Sequence, residues 1–294
     1  MANLPPPSVL MPPVLPPALP TGYHWDLEII QGHETAELTA RVWPNYLVLE
    51  SDLPEPGFKI EINQQEFMRR FPTWGVRRDG TRELVAFASA VQLQIDLAES
   101  VLPDAGWRFA IQRAFSKETP NCLCLLVANV DPGARGLGLS RILIERAKQA
   151  AVDLGFGTLI APVRPTLKHL EPLTPMEEYV LKREAGGVAT GDAVNEGSQR
   201  VRSALSEVYD PWLNLHVKCG GQIANVCTQS VRVRARLAKW REWTGLPLLA
   251  SGEQVIPQGL VPMQVDLDAG VGVYVEPNVW VRYALAASAA AATQ

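Results

Sequence analysis

The chain has 294 residues with a net charge of -4, and 47% of its residues are hydrophobic. That length allows one large or two small domains around a sizeable core. No cluster of Lys and Arg indicates nucleic acid or an anionic membrane as a partner, and no apolar run approaches the roughly 18 residues of a membrane span.

The first 21 residues are rich in proline, which interrupts their apolar positions and predicts an extended, disordered arm. This arm lacks the basic start and the unbroken apolar stretch of a signal peptide, so we expect a cytoplasmic protein. We expect one folded domain over residues 22–285 and a flexible, alanine-rich tail over residues 286–294.

The first half of this domain is predicted to contain a strand, two helices and a hairpin. Alternating apolar positions predict the strand at residues 25–30, and helical spacing predicts helices around 33–43 and 64–71. Two further strands, at residues 74–78 and 84–94, flank the pair Asp79-Gly80. This pair favours a tight hairpin turn because both positions tolerate positive φ.

A glycine-rich turn between a buried strand and a long helix is the most informative feature of the chain. The strand is predicted by its apolar residues Leu123, Leu125, Val127 and Val130. Pro132 then stops strand pairing, helical spacing predicts a helix over 139–154, and a second strand follows at 158–163. Backbone N–H groups of such a turn and the positive end of the helix dipole converge on one spot, which suits a pyrophosphate.

The residues of the turn argue against two common phosphate loops. A Walker-type loop ends in Gly-Lys followed by Ser or Thr, and no lysine lies between residues 121 and 145. A dinucleotide loop needs the opposite glycine spacing and an acidic residue after the next strand, where this chain has Arg164. The segment Arg135-Gly136-Leu137-Gly138-Leu139-Ser140 instead resembles the acyl-CoA loop of the GNAT superfamily of N-acetyltransferases, with Ser140 where Gly or Ala is usual.

This resemblance implies a fold, a co-substrate and a set of binding residues. The fold is α+β in three layers, a GNAT-like mixed and mostly antiparallel sheet flanked by helices, with an insertion at 164–208 and a C-terminal extension. The co-substrate is acetyl-CoA or another acyl-CoA. Its pantetheine arm and thioester would contact Ala128, Asn129 and Val130, and its pyrophosphate would contact Arg135, Gly136, Leu137, Gly138, Leu139 and Ser140.

The second half of the domain begins with the insertion, whose role as a lid or a passive loop the sequence leaves open. A helix is predicted over 205–218, with Asp210 as its cap and Pro211 at its first position. A strand at 222–235, a short helix at 236–243 and a last strand region at 271–283 follow.

Protonation of the leaving thiolate is the step for which the resemblance offers a residue. His216 stands where GNAT enzymes usually have a tyrosine, and the ordinary histidine pKa near 6.5 would suit proton delivery at neutral pH. The alternative is a histidine packed beneath the sheet. Tyr179 and Tyr209 are further candidates for the general acid that protonates the thiolate. The general base is left open between water and the carboxylates of Glu50, Glu66 and Glu99.

The preferred hypothesis is an enzyme that moves an acetyl or other acyl group from CoA to an amine of a small molecule or peptide. The alternative is a GNAT-fold protein that binds acyl-CoA without transfer, as a sensor or with altered thioester chemistry. A scaffold that binds no cofactor is a third reading. Dimerisation is common among GNAT domains, so a homodimer is also considered, although no feature of the sequence demands it.

The four cysteines, Cys122, Cys124, Cys219 and Cys227, are expected to be reduced and mostly buried thiols, with a nucleophilic role left open. Cys122 and Cys124 are expected on opposite faces of their strand, and no metal site is predicted.

Overall fold

The structure is a computed structural model that describes residues 16–26, 30, 32–49, 71–183 and 208–286. Its strands are β1 (Tyr23–Trp25), β2 (Thr73–Arg78), β3 (Leu84–Leu93), β4 (Cys122–Val130), β5 (Thr158–Val163), β6 (Gln222–Arg236), β7 (Gly252–Gln254), β8 (Met263–Asp266) and β9 (Val271–Ala284). Its α-helices are α1 (Gly32–Val42), α2 (Asn45–Leu49), α3 (Gly106–Ala114), α4 (Leu139–Asp153), α5 (Met176–Leu181), α6 (Pro211–Lys218) and α7 (Leu237–Thr244). Within these residues no helix is long and apolar enough to cross a membrane.

A single mixed sheet organises the described residues in the strand order β1-β2-β3-β4-β5-β9-β8-β7, with β6 also paired to β9. Every pairing is antiparallel except that of β4 with β5. Helix α4 packs on one face through its apolar stripe, including Leu143 and Ala147, and α3 packs on the other through Ala110 and Ile111. The α+β, mostly antiparallel architecture predicted from the sequence is therefore confirmed.

The two central strands separate in the middle of the sheet. Strand β4 pairs with β5 only at Leu123 and Cys124. Just beyond, the pairing of β4 with β3 skips one residue of β4, because Ser89 faces Val127 while its neighbour Ala90 faces Leu125. This β-bulge bends β4, as bulges do near binding sites, and a gap opens between the carboxyl ends of β4 and β5.

The C-terminal half builds the other wall of that gap. Helix α6 begins at Pro211 because the Asp210 side chain accepts hydrogen bonds from the N–H groups of Trp212 (3.0 Å) and Leu213 (3.1 Å). The predicted cap and first residue of this helix are thus confirmed. The helix begins six residues later than predicted, and the predicted residues 205–207 lie outside the described part of the chain.

Several local predictions differ from the structure. The connection between β2 and β3 spans residues 79–83, as the predicted strand bounds require, but it is longer than the tight two-residue turn expected at Asp79-Gly80, although Gly80 does adopt a positive φ of 69°. Helices α2, α3 and α5 and strands β7 and β8 were not predicted. The helix predicted around 64–71 lies outside the described residues except for Phe71.

The expected orientation of two cysteines was wrong. Cys122 and Cys124 pack into the same apolar cluster with α3, because alternate residues of a strand point to the same face. All four cysteines are free and buried. Burial raises the pKa of Cys122 and of Cys227 to about 12, so both are neutral thiols and poor nucleophiles.

The end of the proline-rich segment lies against the domain. The Trp25 indole N–H donates to the Pro17 carbonyl oxygen at 2.9 Å, and Leu19 packs on the main core cluster. Residues 1–15 of the predicted arm, residues 184–207 of the predicted insertion and residues 287–294 of the tail lie outside the described residues.

Candidate active site

A cavity of about 530 Å³ occupies the gap between β4 and β5. It is called the first cavity below. Six of the residues predicted to bind or react line it: Ala128, Asn129, Val130, Arg135, Ser140 and His216. Residues distant in the sequence are therefore brought to one site. Its volume lies within the range typical of pockets for small molecules and cofactors.

The glycine loop, residues 131–140, reaches the outer end of the first cavity through Arg135 and Ser140. The other predicted pyrophosphate contacts do not line this cavity: Gly136, Leu137, Gly138 and Leu139. Asp131 holds its start by accepting the Gly133 N–H at 2.8 Å and the Arg41 guanidinium at 2.7 Å. Gly136 and Gly138 have positive φ values of 82° and 76°, which L-residues rarely adopt. A Cβ atom at either glycine would meet no protein atom within 4 Å, so the space beside the loop is open.

Helix α4 starts at the glycine loop without a side-chain cap, since Gly138 occupies the capping position. The N–H groups of a helix's first turn have no intrahelical partner, and the helix dipole adds a partial positive charge there. Arg135 and Ser140 add side-chain donors. Leu139 is buried in the core, so only its backbone is available to a ligand, while Leu137 is exposed. The arrangement fits a phosphate or pyrophosphate group.

His216 lies on α6 at the wall of the first cavity and is only 1% exposed. Its Nδ1 is 2.6 Å from the Tyr283 hydroxyl oxygen. Its ring packs edge-to-face against the Trp212 ring, with 4.4 Å between the ring centroids. Its Nε2 is buried and has no hydrogen-bond partner. A buried polar atom without a partner is costly unless a ligand satisfies it, so Nε2 is the side-chain atom available for chemistry here.

Burial lowers the pKa of His216 to about 3 and raises the pKa of Tyr283. The imidazole and the phenol are therefore both neutral at neutral pH. The prediction that His216 would deliver a proton with a pKa near 6.5 is therefore wrong for the folded protein. A neutral pair can still offer a hydrogen bond: if the Tyr283 hydroxyl donates to Nδ1, the ring hydrogen stands on Nε2.

Trp43 follows α1 and separates the first cavity from a second one. Its indole N–H donates to Asn129 Oδ1 at 2.7 Å, and the Asn129 amide donates to the Thr39 hydroxyl at 3.0 Å. The guanidinium of Arg164 lies over its ring at 5.7 Å from the centroid. The ring is thus fixed both at its edge and at its face.

Arg164 is itself fixed by a buried carboxylate. Its Nε lies 3.0 and 3.1 Å from the two oxygens of Glu276, and its Nη2 donates to the Gln258 carbonyl at 2.6 Å. Glu276 is fully buried and also accepts from the Tyr274 hydroxyl at 2.8 Å and from Asn278 at 3.3 Å. We call Trp43, Asn129, Arg164 and Glu276 the inner network.

A second cavity of about 370 Å³ lies on the other side of Trp43. The two cavities share Trp43, Leu126, Val127 and Pro162, which form the partition between them. The remaining lining comes mainly from α1, β3 and the β6–β9 ribbon. The two cavities therefore adjoin at the separated ends of β4 and β5.

The other predicted candidates do not line either cavity. The Tyr179 hydroxyl donates to Asp210 at 2.9 Å, Tyr209 packs edge-on against Tyr179, and Glu99 is exposed on a loop. Glu50 and Glu66 lie outside the described residues. Within the described part of the chain, no group of three or more His, Cys, Asp or Glu side chains fits a metal ion.

The sequence did not single out Trp43, Arg164, Glu276 or the second cavity. Arg164 and Glu276 lie 112 positions apart, and neither belongs to a recognisable local motif. The one available signal was the charge of Glu276 within the mostly apolar strand β9, since a buried carboxylate requires a partner.

No protein-family model matches the chain. It is 35% identical over 216 residues to the arginine N-acetyltransferase avaD of Aspergillus versicolor, covering 67% of this chain and 69% of that protein.

Among solved structures, the loading GNATL domain of CurA from Lyngbya majuscula has the same fold, with a TM-score of 0.50 and 14% identity over 89% of this chain and 97% of that chain. The GNAT-like decarboxylase GphF in complex with isobutyryl-CoA is 19% identical, with a TM-score of 0.43 over 86% of this chain and 94% of that chain. The curated relative favours transfer over binding of acyl-CoA without transfer. The chain therefore belongs to the GNAT superfamily and is an N-acyltransferase that takes its acyl group from acyl-CoA and delivers it to an amine.

Proposed function

We propose that the first cavity holds the acyl-CoA, with the pyrophosphate at the glycine loop and the thioester beside the inner network. The loop offers uncapped backbone N–H groups at Gly138–Arg141 and the side chains of Arg135 and Ser140. Beyond Cys124 the edge of β4 is released from β5, so the backbone of Ala128–Val130 is available to the pantetheine amides. Acyl-CoA supplies the acyl group as a thioester.

His216 serves in this proposal as a neutral hydrogen-bond donor. Tyr283 keeps its proton because burial raises its pKa, and it donates to Nδ1, which leaves the hydrogen on Nε2. As the amine nitrogen bonds to the acyl carbon and the C–S bond breaks, Nε2 donates a hydrogen bond to the departing sulfur, with the Trp212 ring packed edge-on against the imidazole. The nitrogen gives its proton to water, and CoA leaves as the thiolate. The role differs from delivery of a full proton by an imidazolium.

The acceptor amine enters through the second cavity and reaches the partition from the opposite side. The single observation that carries this proposal is that both cavities meet at the partition formed by Trp43, Leu126, Val127 and Pro162. No Asp or Glu belongs to the described lining of either cavity. We therefore expect the acceptor to react as the free amine, so that the rate rises with pH as the amine loses its proton.

The acceptor is a small molecule or a peptide, and arginine, the substrate in the name of the Aspergillus relative, is the first compound to try. The four free, buried cysteines support the cytoplasmic location predicted from the sequence.

The proposal is tested by calorimetric titration with acetyl-CoA and by CoA release with an amine panel, using mass spectrometry to identify the acetylated product. Gly138→Glu places a carboxylate at the anion site and should weaken acetyl-CoA binding at least about 100-fold. Gly155→Glu is the matched control, because Gly155 has a similar φ of 79° and equally open space at the other end of α4. Equal losses in both variants would contradict the assigned site.

The catalytic role is tested separately with His216→Ala. Loss of a donor to the developing charge should lower kcat by about 10²-fold while acetyl-CoA affinity changes little. Unchanged kcat in a folded variant would remove His216 from the mechanism.

A further inference from the structure

The second cavity is lined chiefly by aromatic and aliphatic side chains. The rings of Trp43, Phe87 and Trp107 belong to its wall, together with Leu47, Leu126, Val127, Pro162 and Val231. None of its described lining residues is Asp, Glu, Lys or Arg. The described part of the wall therefore offers large apolar surfaces and ring faces and provides no counter-charge for an ion.

The polar side chains of this cavity already have partners within the protein. The Ser89 hydroxyl is 2.9 Å from that of Thr73, and the Thr39 hydroxyl donates to the Thr35 carbonyl at 2.6 Å. The side-chain oxygen Oδ1 of Asn278 accepts a hydrogen bond from the Ser230 hydroxyl at 2.5 Å. Few strong acceptors remain to replace the water that a charged substrate group would lose.

The carboxylate of Glu276 contacts Asn278, which lines this cavity, but its negative charge is already balanced by Arg164. Its two oxygens are held by Arg164, and one of them also accepts from Tyr274. It does not line the cavity. A guanidinium or ammonium side group placed there would find no carboxylate to pair with in the described lining, which is costly wherever the group also loses water.

We propose that the acceptor carries an uncharged aromatic group, which the second cavity binds next to the amine that receives the acyl group. This inference rests on the proposed function, since it takes the second cavity to be the acceptor site. Ring–ring packing with Trp43, Phe87 and Trp107 selects the aromatic group, and the lack of a counter-charge in the described lining rejects a cationic one. The acceptor class thus differs from that in the name of the arginine-acetylating relative.

Two matched pairs of acceptors test the proposal: 2-phenylethylamine against agmatine, and phenylalanine against arginine. With acetyl-CoA saturating, we expect kcat/KM to be at least tenfold higher for the aromatic member of each pair. Ala36→Asp adds a carboxylate at an exposed α1 position that lines the cavity, and it should shift the preference at least tenfold toward the guanidinium compounds. Ala40→Asp is the control, since Ala40 is exposed one turn further along α1 and does not line the cavity.

The outcomes separate this inference from the proposed function. Preference of the wild type for agmatine and arginine would overturn the aromatic assignment while leaving acyl transfer established. If no amine is acetylated, calorimetric binding of 2-phenylethylamine and agmatine to the protein with acetyl-CoA present decides. Tighter binding of 2-phenylethylamine, lost in a Trp107→Ala variant, would uphold the inference although transfer had failed. Equal or weaker binding would overturn it.

Discussion

The two ends of the first cavity are built in opposite ways. The outer end, the glycine loop, is a run of ten neighbouring residues, is largely exposed and presents backbone N–H groups. The inner network joins side chains that directly follow α1 and β5 to side chains of β4 and β9, all of them buried or half-buried and in mutual contact. Substitutions at the outer end should therefore cost little folding stability wherever φ allows them. At the inner end, stability depends on the charge and hydrogen-bonding groups of each side chain.

The largest loss of folding stability is expected when Arg164, the cation of the inner network, is replaced. Arg164→Met leaves Glu276 fully buried with an unpaired charge, and we expect the free energy of unfolding to fall by about 3–5 kcal/mol. Arg78→Met is the control, because Arg78 and Glu83 form an ion pair of similar length whose side chains are both 42% exposed. Little change is expected there, since solvent screens exposed pairs. Urea unfolding at pH 7 measures both variants.

A second variant separates charge imbalance from lost packing. The double substitution Arg164→Met and Glu276→Gln removes both charges and should recover part of the stability lost in Arg164→Met. If the double variant is as unstable as the sum of the two single variants, the ion pair does not organise the inner end as described.

The same contrast explains how much the sequence predicted. The strand, glycine loop, helix α4 and strand β5 were predicted nearly to the residue, because local spacing and glycine conformation determine them. The Asp210 cap was predicted for the same reason. The pairing of β5 with β9 brings Arg164 to Glu276, and Trp43 reaches them from the end of α1. These residues are far apart in the sequence, and no short pattern encodes contacts over such separations. The bulge that opens the gap between β4 and β5 was likewise not predicted.

His216 gives a prediction of intermediate size, in the dependence of stability on pH. Its pKa falls from 6.5 in the unfolded chain to about 3 in the folded protein, so the unfolded chain binds more protons between these values. Stability contributed by the neutral imidazole is therefore complete above pH 6.5 and declines as the pH falls toward 3. Between pH 7 and pH 5 we expect a loss of about 2 kcal/mol from this residue.

The measurement is urea unfolding at pH 7 and pH 5 for the wild type and His216→Asn. The variant should lack this part of the pH dependence, whatever its stability at pH 7. Identical slopes in the two proteins would mean that His216 does not titrate as a buried neutral group. We also compare the pH profiles of kcat/KM. An ionisation near pH 6.5 that is present in the wild type and absent from His216→Asn is not expected.

The smallest effect is expected at the edge of the Trp43 ring. Trp43→Phe keeps an aromatic face beneath Arg164 but removes the donor to Asn129, so about 1 kcal/mol of stability and a few-fold in kcat/KM should be lost. Trp243→Phe is the control, because the Trp243 indole N–H is buried without a hydrogen-bond partner and its removal breaks no such bond. Equal losses in the two variants, measured by urea unfolding, would assign the effect to ring size. A larger loss in Trp43→Phe would show that the partition between the cavities is held by the bond to β4, and not by packing alone.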